Sequence, residues 1–236
     1  MTTPDRDPGG PARLGIAVRL GVVFDLDGTL IDSRQDIAEA ANHALAAHGF
    51  ATLSVSEISS FVGDGARLLL ARAARLAPDA SDLDALLGEF TAYYRAHPTD
   101  HTRLLPGVQE ALDALAELPL SLCTNKPRAI ADAVLSNLRL AAKFQVVVGG
   151  GDLPKSKPDP APLLHIAERL GLSPAELVMV GDGAQDIACA KAAGAHSVGV
   201  EGGIQGQAEM LAAGPDAVVR TLSELPALIE RLLRAT

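Results

Sequence analysis

Short apolar runs rich in β-branched residues alternate along this chain with longer segments whose apolar residues recur at helical spacing. The short runs cover residues 20–24, 118–123, 144–148, 177–180, 197–200 and 217–219. One helical stripe lies between two of these runs and ends before Gly171; its members are Leu163, Ile166, Ala167 and Leu170. Strands that alternate with helices build parallel sheets with helices on their faces. The pattern therefore predicts an α/β fold with a doubly wound parallel sheet.

The gap between the first two runs is about 90 residues long, which is far more than a connection between two strands needs. Residues 34–103 show only helical patterns. We therefore expect a helical cap domain at 34–103, inserted into a core domain made of residues 19–33 and 104–236. Residues 1–18 contain acids, prolines and glycines before any apolar run, and we expect them to form a flexible N-terminal tail.

The composition argues against several kinds of partner. The 236 residues carry a net charge of −9, whereas nucleic acids and anionic membranes bind clustered Lys and Arg. No apolar stretch approaches the roughly 20 residues of a membrane span. The only cysteines are Cys123 and Cys189, too few for a disulfide framework, which favours a reducing compartment. We expect a cytoplasmic monomer or homodimer that binds neither nucleic acid nor membrane.

Polar residues follow several of the predicted strands at the point where each strand ends. Asp25 and Asp27 follow the first strand, residues 124–126 (TNK) follow the second, Lys157 lies in the loop after the third, and residues 181–186 (GDGAQD) follow the fourth. In open α/β sheets, ligands bind outside the carboxyl ends of the strands. Turn-forming residues also occur at strand ends for structural reasons. A single polar residue there is therefore weak evidence, but the joint placement of all four groups indicates a ligand site.

Charge repulsion turns this placement into a chemical prediction. If the carboxylates of Asp25, Asp27, Asp182 and Asp186 meet in one cleft, each pair about 4 Å apart repels by roughly 4 kcal/mol at an effective dielectric constant near 20. Lys157 can supply one compensating charge. A hard divalent cation bound by oxygen ligands can supply the rest, and the lack of His or Cys among the candidates favours Mg²⁺ over zinc or copper.

Four segments of the chain resemble the motifs of the haloacid dehalogenase superfamily, and they occur in that family's order. Residues 25–33 (DLDGTLIDS) resemble the first motif, Thr124 matches the second, Lys157 the third, and residues 181–186 the fourth. The resemblance implies a Rossmann-like core with an inserted cap.

The resemblance also implies a role for each acid. Asp25 would be the nucleophile that forms an aspartyl-phosphate, and Asp27 the general acid and base. Mg²⁺ would be held by Asp25, the backbone carbonyl of Asp27, and Asp182, with Asp186 orienting these ligands. Because Asp27 can protonate a leaving alcohol oxygen, it points to phosphate ester cleavage rather than dehalogenation.

The remaining core residues would surround the phosphoryl group of the substrate. Thr124 and Lys157 can offset the charge on its oxygens in the transition state. We expect Asn125 and the backbone N–H groups of Gly28 and Thr29 to donate further hydrogen bonds.

The segments TNK, KPDPAPLL and FVGDGAR together resemble the phosphoglycolate phosphatase family, whose substrate is a two-carbon phosphate with a carboxylate. In the cap, Gly63, Gly65 and Ala66 precede a helical run, so free N–H groups there could bind an anion. Arg67 could pair with the substrate carboxylate. A structural alternative is that Asp64 caps this helix.

Several other functions remain open from the sequence. The GDGAQD segment is similar to phosphoserine phosphatases, and a sugar phosphate is another candidate substrate. A phosphosugar mutase shares the motif order, although its cap histidine and lysine have no counterpart here. A non-catalytic relative that only binds a phosphometabolite or a protein is disfavoured, because no nucleophile or metal ligand is missing.

Overall fold

The computed structural model describes residues 20–235, so the tail expected at 1–18 lies outside the described residues. The strands are β1 Gly21–Phe24, β2 Ile31–Asp32, β3 Arg103–Leu104, β4 Leu120–Pro127, β5 Val146–Gly150, β6 Leu177–Gly181, β7 His196–Val200 and β8 Ala217–Val219. The helices are α1 Arg34–Ala47, α2 Val55–Ser59, α3 Ala66–Ala74, α4 Asp82–Ala96, α5 Val108–Ala114, α6 Arg128–Asn137, α7 Ala161–Leu170, α8 Ala184–Ala193, α9 Gln207–Ala212 and α10 Leu225–Ala235.

Six parallel strands form one sheet in the order β5-β4-β1-β6-β7-β8. β1 lies inside the sheet, with Val22 beside Leu120 on one neighbour and beside Val178 on the other. Side chains alternate between the two faces of a strand, so Val22 and Phe24 join one apolar cluster and Val23 joins another. Both faces are thus covered, which explains why the strand sequence is apolar throughout.

Helices pack on both faces of this sheet. α5, α6 and α10 supply buried residues to the cluster that contains Phe24, while α7 and α8 supply the cluster that contains Val23. α7 ends at Gly171, which adopts a left-handed conformation with φ 64°, as the sequence indicates. The predicted doubly wound α/β fold is confirmed.

All six predicted core strands are present, but β4 is longer than expected. It continues past Cys123 to Pro127 because the ladder with β5 resumes, after a register shift, at Pro127 and Gly150. The sequence analysis ended this strand at Cys123 and placed residues 124–126 after it. They are instead buried at the end of a strand, which fixes their side chains.

The four helices α1–α4 lie between β2 and β3, and among the described residues no strand falls within 34–102. β2 and β3 pair antiparallel, with Ile31 opposite Leu104 and Asp32 opposite Arg103. Buried Asp36, in the first turn of α1, accepts hydrogen bonds from the backbone of His101 and Thr102. The chain therefore enters and leaves the four-helix insert at adjacent points. Within residues 20–235, no helix is both long enough and apolar enough to cross a membrane.

Candidate active site

Asp25 begins a tight turn directly after β1. Its backbone N–H donates to the carbonyl of Val180 on β6, at 2.9 Å. Further along the turn, Gly28 has φ 86°, and a side chain there would collide with the carboxylate of Asp182. A glycine at this position lets the turn lie against Asp182, because only glycine combines a positive φ with no Cβ.

Lys157 joins the first and last predicted motifs. Its ammonium lies 2.8 Å from Oδ1 of Asp25 and 2.6 Å from Oδ1 of Asp186, and all three side chains are buried. Burial opposes the charged form of Lys157, but the charges of Asp186 and Asp25 outweigh this effect and raise its pKa. Lys157 therefore stays protonated between the two carboxylates.

Asp182 is held by groups from two loops. Thr29 Oγ1 donates to Oδ1 at 3.0 Å, and the backbone N–H groups of Ile204 and Gln205 donate to Oδ2 at 2.9 and 3.1 Å. Gly203 also lies against this carboxylate, and a Cβ there would overlap it. The loop after β7 thus positions Asp182, although no sequence motif indicated that this loop belongs to the site.

Asp27 is anchored through one oxygen. Oδ1 accepts hydrogen bonds from Ser33 Oγ at 2.5 Å and from Lys126 Nζ at 2.9 Å. No described residue donates to Oδ2, which leaves that oxygen for exchange of a proton with a ligand. Lys126 also donates to the hydroxyl of Tyr94 on α4 at 2.8 Å, so this lysine links the core to the insert.

Lys126 and Tyr94 are the main site residues that the sequence analysis missed. Lys126 belongs to the TNK segment that was recognised there, but its partner Tyr94 lies 32 positions earlier in the chain. Burial disfavours the charge on Lys126, yet Asp27 and Tyr94 raise its pKa above the ordinary value. Burial raises the pKa of Tyr94 to about 12.

The carboxylates form a group suited to a hard cation. Oxygens of Asp25, Asp182 and Asp186 lie within 4.8 Å of one another, and the closest cation to Oδ1 of Asp25 is the ammonium of Lys157, at 2.8 Å. Burial raises the pKa of Asp25 to about 7 and that of Asp182 to about 6. Protons therefore compete for oxygens that a cation could occupy.

The net charge of the buried site residues also favours a bound divalent cation. The site contains two more carboxylates than ammonium groups, and these buried residues are Asp25, Asp27, Asp182, Asp186, Lys126 and Lys157. One divalent cation would cancel that excess. All candidate ligands are oxygen atoms, which Mg²⁺ prefers, so the residues present fit the predicted metal.

Asn125 connects the insert to the backbone of Lys157. Its side-chain amide donates to the carbonyl of Gly63 at 2.9 Å and to the carbonyl of Lys157 at 2.9 Å. Its Oδ1 accepts from the backbone N–H of Lys157 at 3.1 Å. Asn125 therefore holds the backbone that carries Lys157 and ties the insert above it, rather than pointing free donors at a substrate.

The active-site pocket lies between these core residues and the insert. Its polar wall includes Asp25, Asp27, Thr124 and Lys126, and the insert contributes an apolar roof whose members include Ile37, Val62, Leu69 and Phe90. The pocket has a cavity volume of about 40 Å³. A cavity of this size suits a small ligand.

Of the cap residues that the sequence nominated, Gly63, Gly65 and Ala66 line the pocket. Arg67 does not: its guanidinium donates to Asp84 at 2.6 Å and to the carbonyl of Pro78 at 3.0 Å, on the exposed side of α3. The expected pairing of Arg67 with a substrate carboxylate is therefore not supported, because two neighbours in the insert already hold this side chain.

Asp64 is also turned away from the pocket. Its carboxylate pairs with Arg72 at 2.5 Å, and α3 begins after Gly65 with no side-chain cap. The helix cap considered for Asp64 is therefore not observed. The first N–H groups of α3 remain without a capping side chain.

The expectation for Gly28 and Thr29 also needs correction. Their backbone N–H groups donate to the carbonyls of Ile31 and Leu26, at 2.8 and 3.3 Å, which closes the turn after β1. They are therefore not available to a substrate. Within residues 20–235, the N–H groups of Leu26 and Asp27 have no acceptor, so these are the amides after Asp25 that a ligand could use.

The fold and the site define a class of protein. A parallel α/β sheet with carboxylates and a lysine at its strand ends, beneath an inserted group of helices, is the architecture of haloacid dehalogenase-like hydrolases. A family model with that description matches residues 22–200. The chain therefore belongs to the haloacid dehalogenase-like hydrolase family.

Individual relatives indicate which kind of hydrolase within this family the chain resembles. A phosphoglycolate phosphatase of Chromobacterium violaceum is 41% identical over 211 residues, covering 86% of this chain and 93% of that protein. Another, from Cereibacter sphaeroides, is 46% identical over 180 residues, covering 74% and 81%. The crystal structure of a predicted phosphoglycolate phosphatase from Haemophilus somnus superposes with a TM-score of 0.83 at 29% identity, covering 91% and 100%. The chain is thus a phosphoric monoester hydrolase similar to phosphoglycolate phosphatases.

Proposed function

We propose that this enzyme hydrolyses 2-phosphoglycolate to glycolate and phosphate, with Mg²⁺ and an aspartyl-phosphate on Asp25. The observation that carries the proposal is the buried group of Asp25, Lys157, Asp182 and Asp186 beside a pocket sized for a small ligand. The relatives named phosphoglycolate phosphatase support the choice of substrate.

In the first step, a carboxylate oxygen of Asp25 attacks phosphorus, and the bond from phosphorus to the alcohol oxygen breaks. Oδ2 of Asp27, which has no donor among the described residues, gives its proton to that leaving oxygen. A nucleophilic carboxylate splits the transfer into two displacements. Lys157 and the free amides of Leu26 and Asp27 offset negative charge on the phosphoryl oxygens.

In the second step, Asp27 removes a proton from water, whose oxygen attacks phosphorus and releases Asp25. The side chain can serve both steps because Ser33 and Lys126 fix its other oxygen. Asp25, Asp182 and the carbonyl of Asp27 would hold Mg²⁺. When bound, this ion supplies positive charge to the phosphoryl group and cancels the excess of carboxylates.

We further propose that the four-helix insert acts as a cap domain spanning residues 34–103, with the core made of residues 19–33 and 104–236. Gly63, Gly65 and Ala66 line the pocket from the insert. Asn125 and Lys126 bind the insert from the core side. These contacts would enclose the substrate and exclude bulk water during the transfer.

The test measures phosphate release from 2-phosphoglycolate, phosphoserine and hexose phosphates, each with Mg²⁺ and with EDTA. We expect the highest kcat/KM for 2-phosphoglycolate and no turnover in EDTA. Asp25→Asn should lower kcat by about a thousandfold or more, because it removes the nucleophile. The surface variant Asp132→Asn is the matched control, since within residues 20–235 its side chain pairs with exposed Arg128 alone.

Acid quenching during turnover should trap phosphate on the wild-type protein and not on Asp25→Asn. Metal-independent turnover, or full activity in Asp25→Asn, would contradict the mechanism. A higher kcat/KM for phosphoserine or a hexose phosphate would replace the proposed substrate, and isomerised sugar phosphate without phosphate release would indicate a mutase.

A further inference from the structure

One buried lysine of the pocket positions Asp27 but contacts no reacting atom in the two displacement steps. Among the residues that line the active-site pocket, Lys126 is the only one with a cationic side chain, and it is 6% exposed. It follows Asn125 at the end of β4, where the strand fixes its direction. A buried ammonium group must have anionic or polar partners to be stable.

The partners of Lys126 leave donors unused. An ammonium group has three N–H donors, and the structure uses two, one to Asp27 Oδ1 and one to Tyr94 Oη. The Tyr94 hydroxyl accepts this bond, and no described residue accepts its own proton. The ammonium also lies 4.3 Å from the centre of the Tyr94 ring. One N–H of Lys126 and the O–H of Tyr94 are thus available at the pocket wall.

The chemistry of the proposed substrate fixes where its carboxylate must lie. In 2-phosphoglycolate, a single carbon separates the carboxylate from the oxygen that leaves phosphorus. That oxygen must come within hydrogen-bond reach of Asp27 to receive a proton. A group that binds the carboxylate must therefore lie close to Asp27, and Nζ of Lys126 lies 2.9 Å from Oδ1 of that residue.

We propose that Lys126, together with the hydroxyl of Tyr94, binds the carboxylate of the substrate and so selects phosphate esters with a carboxylate next to the ester carbon. This inference rests on the proposed function. Carboxylate binding, which the sequence analysis expected of Arg67, is thereby assigned to Lys126 of the core and Tyr94 of α4. Lys126 offers a charged donor and Tyr94 a neutral one, which together match the two oxygens of a carboxylate.

The experiment compares kcat/KM for 2-phosphoglycolate with kcat/KM for ethyl phosphate, which carries a methyl group in place of the carboxylate. The ratio of these two constants isolates carboxylate recognition, because any damage to Asp27 affects both substrates. We expect Lys126→Met to lower the ratio at least about tenfold, the loss of one charged hydrogen bond. Tyr94→Phe keeps the ring and should lower it several-fold.

Two variants serve as matched controls. Lys143→Met removes a lysine whose partner is Asp113. Tyr93→Phe alters the neighbouring tyrosine, whose ring stacks on His43 outside the pocket. Both should leave the ratio at the wild-type value. If Lys126→Met does not fold, the ratio in Tyr94→Phe decides the question by itself.

The possible outcomes separate this inference from the proposed function. A wild-type preference for 2-phosphoglycolate that persists unchanged in Lys126→Met and Tyr94→Phe would overturn the role of these residues and leave the substrate standing. The amides at the start of α3 would then be the carboxylate site. A wild type that hydrolyses ethyl phosphate as well as 2-phosphoglycolate would overturn both.

Discussion

Replacing Asn125 with Ala tests whether one side chain holds both the insert and Lys157. The change removes three hydrogen bonds of 2.9, 2.9 and 3.1 Å, to Gly63 and to both backbone groups of Lys157. Asn125 is 8% exposed, so the backbone groups of Gly63 and Lys157 that lose their partner have little access to water. At about 1 kcal/mol for each bond, we expect the free energy of unfolding to fall by about 2–4 kcal/mol.

For a chain of this length, that loss corresponds to a Tm lower by about 4–16 °C. Lys157 should also shift relative to Asp25, and misplacement by about 1 Å can cost up to about 100-fold in rate. We therefore expect kcat/KM to fall about 10- to 100-fold. The assays are thermal unfolding followed by circular dichroism and phosphate release at saturating Mg²⁺.

Asn137→Ala is the matched control, because that asparagine makes one exposed hydrogen bond, to Thr99. Its Tm and kcat/KM should stay near the wild-type values. If Asn125→Ala behaves like Asn137→Ala in both assays, then the connection through Asn125 does not position Lys157, and the reasoning is refuted.

Three further predictions follow from the site. Gly28→Ala should weaken Mg²⁺ binding, measured as the rise in Tm with added metal, because its Cβ would displace Asp182; Gly49→Ala has a similar φ of 77° in open space and should leave the metal effect intact. Arg67→Ala should change stability by less than about 1 kcal/mol, since its ion pair is exposed. It should leave the ratio of kcat/KM for 2-phosphoglycolate and ethyl phosphate unchanged, and a fall in that ratio would restore Arg67 as a specificity residue. Burial raises the pKa of Asp25 to about 7 and that of Asp182 to about 6, so the folded metal-free protein keeps protons that the unfolded chain releases. The free energy of unfolding in EDTA should therefore fall between about pH 5 and pH 7, and a Tm that rises over this window would contradict the assignment.

The fold could be predicted largely because its signals are local. A buried parallel strand must be apolar on both faces, so each of the six strands is a short apolar run in the sequence. The alternation of these runs with helical segments is compatible with few architectures other than a parallel α/β sheet. The end of β4 could not be located in the same way. Residues 124–126 are polar because they belong to the site, and polarity at a strand end looks like a loop.

The same limit applies to the site. Asp25, Lys157 and Asp182 were identifiable because each carries its own motif. Arg67 was misplaced because its partner Asp84 lies on a different helix, and only the packing of α3 against α4 brings them together. The role of Lys126 likewise depends on Tyr94, a contact between core and insert that no local pattern specifies.

The antiparallel pair of β2 and β3 has a consequence for how such an enzyme can change its substrate. Asp32 and Arg103 lie opposite each other, so the intervening helices begin and end at the same place on the core. The two ends of this insert are already held together by the β2–β3 pair. A longer or different insert at this position therefore costs little additional chain entropy. The intervening helices are thus physically separable from the buried carboxylates of the core, and a chimera that takes residues 34–102 from a relative would exchange Tyr94 while keeping Lys126 and Asp25.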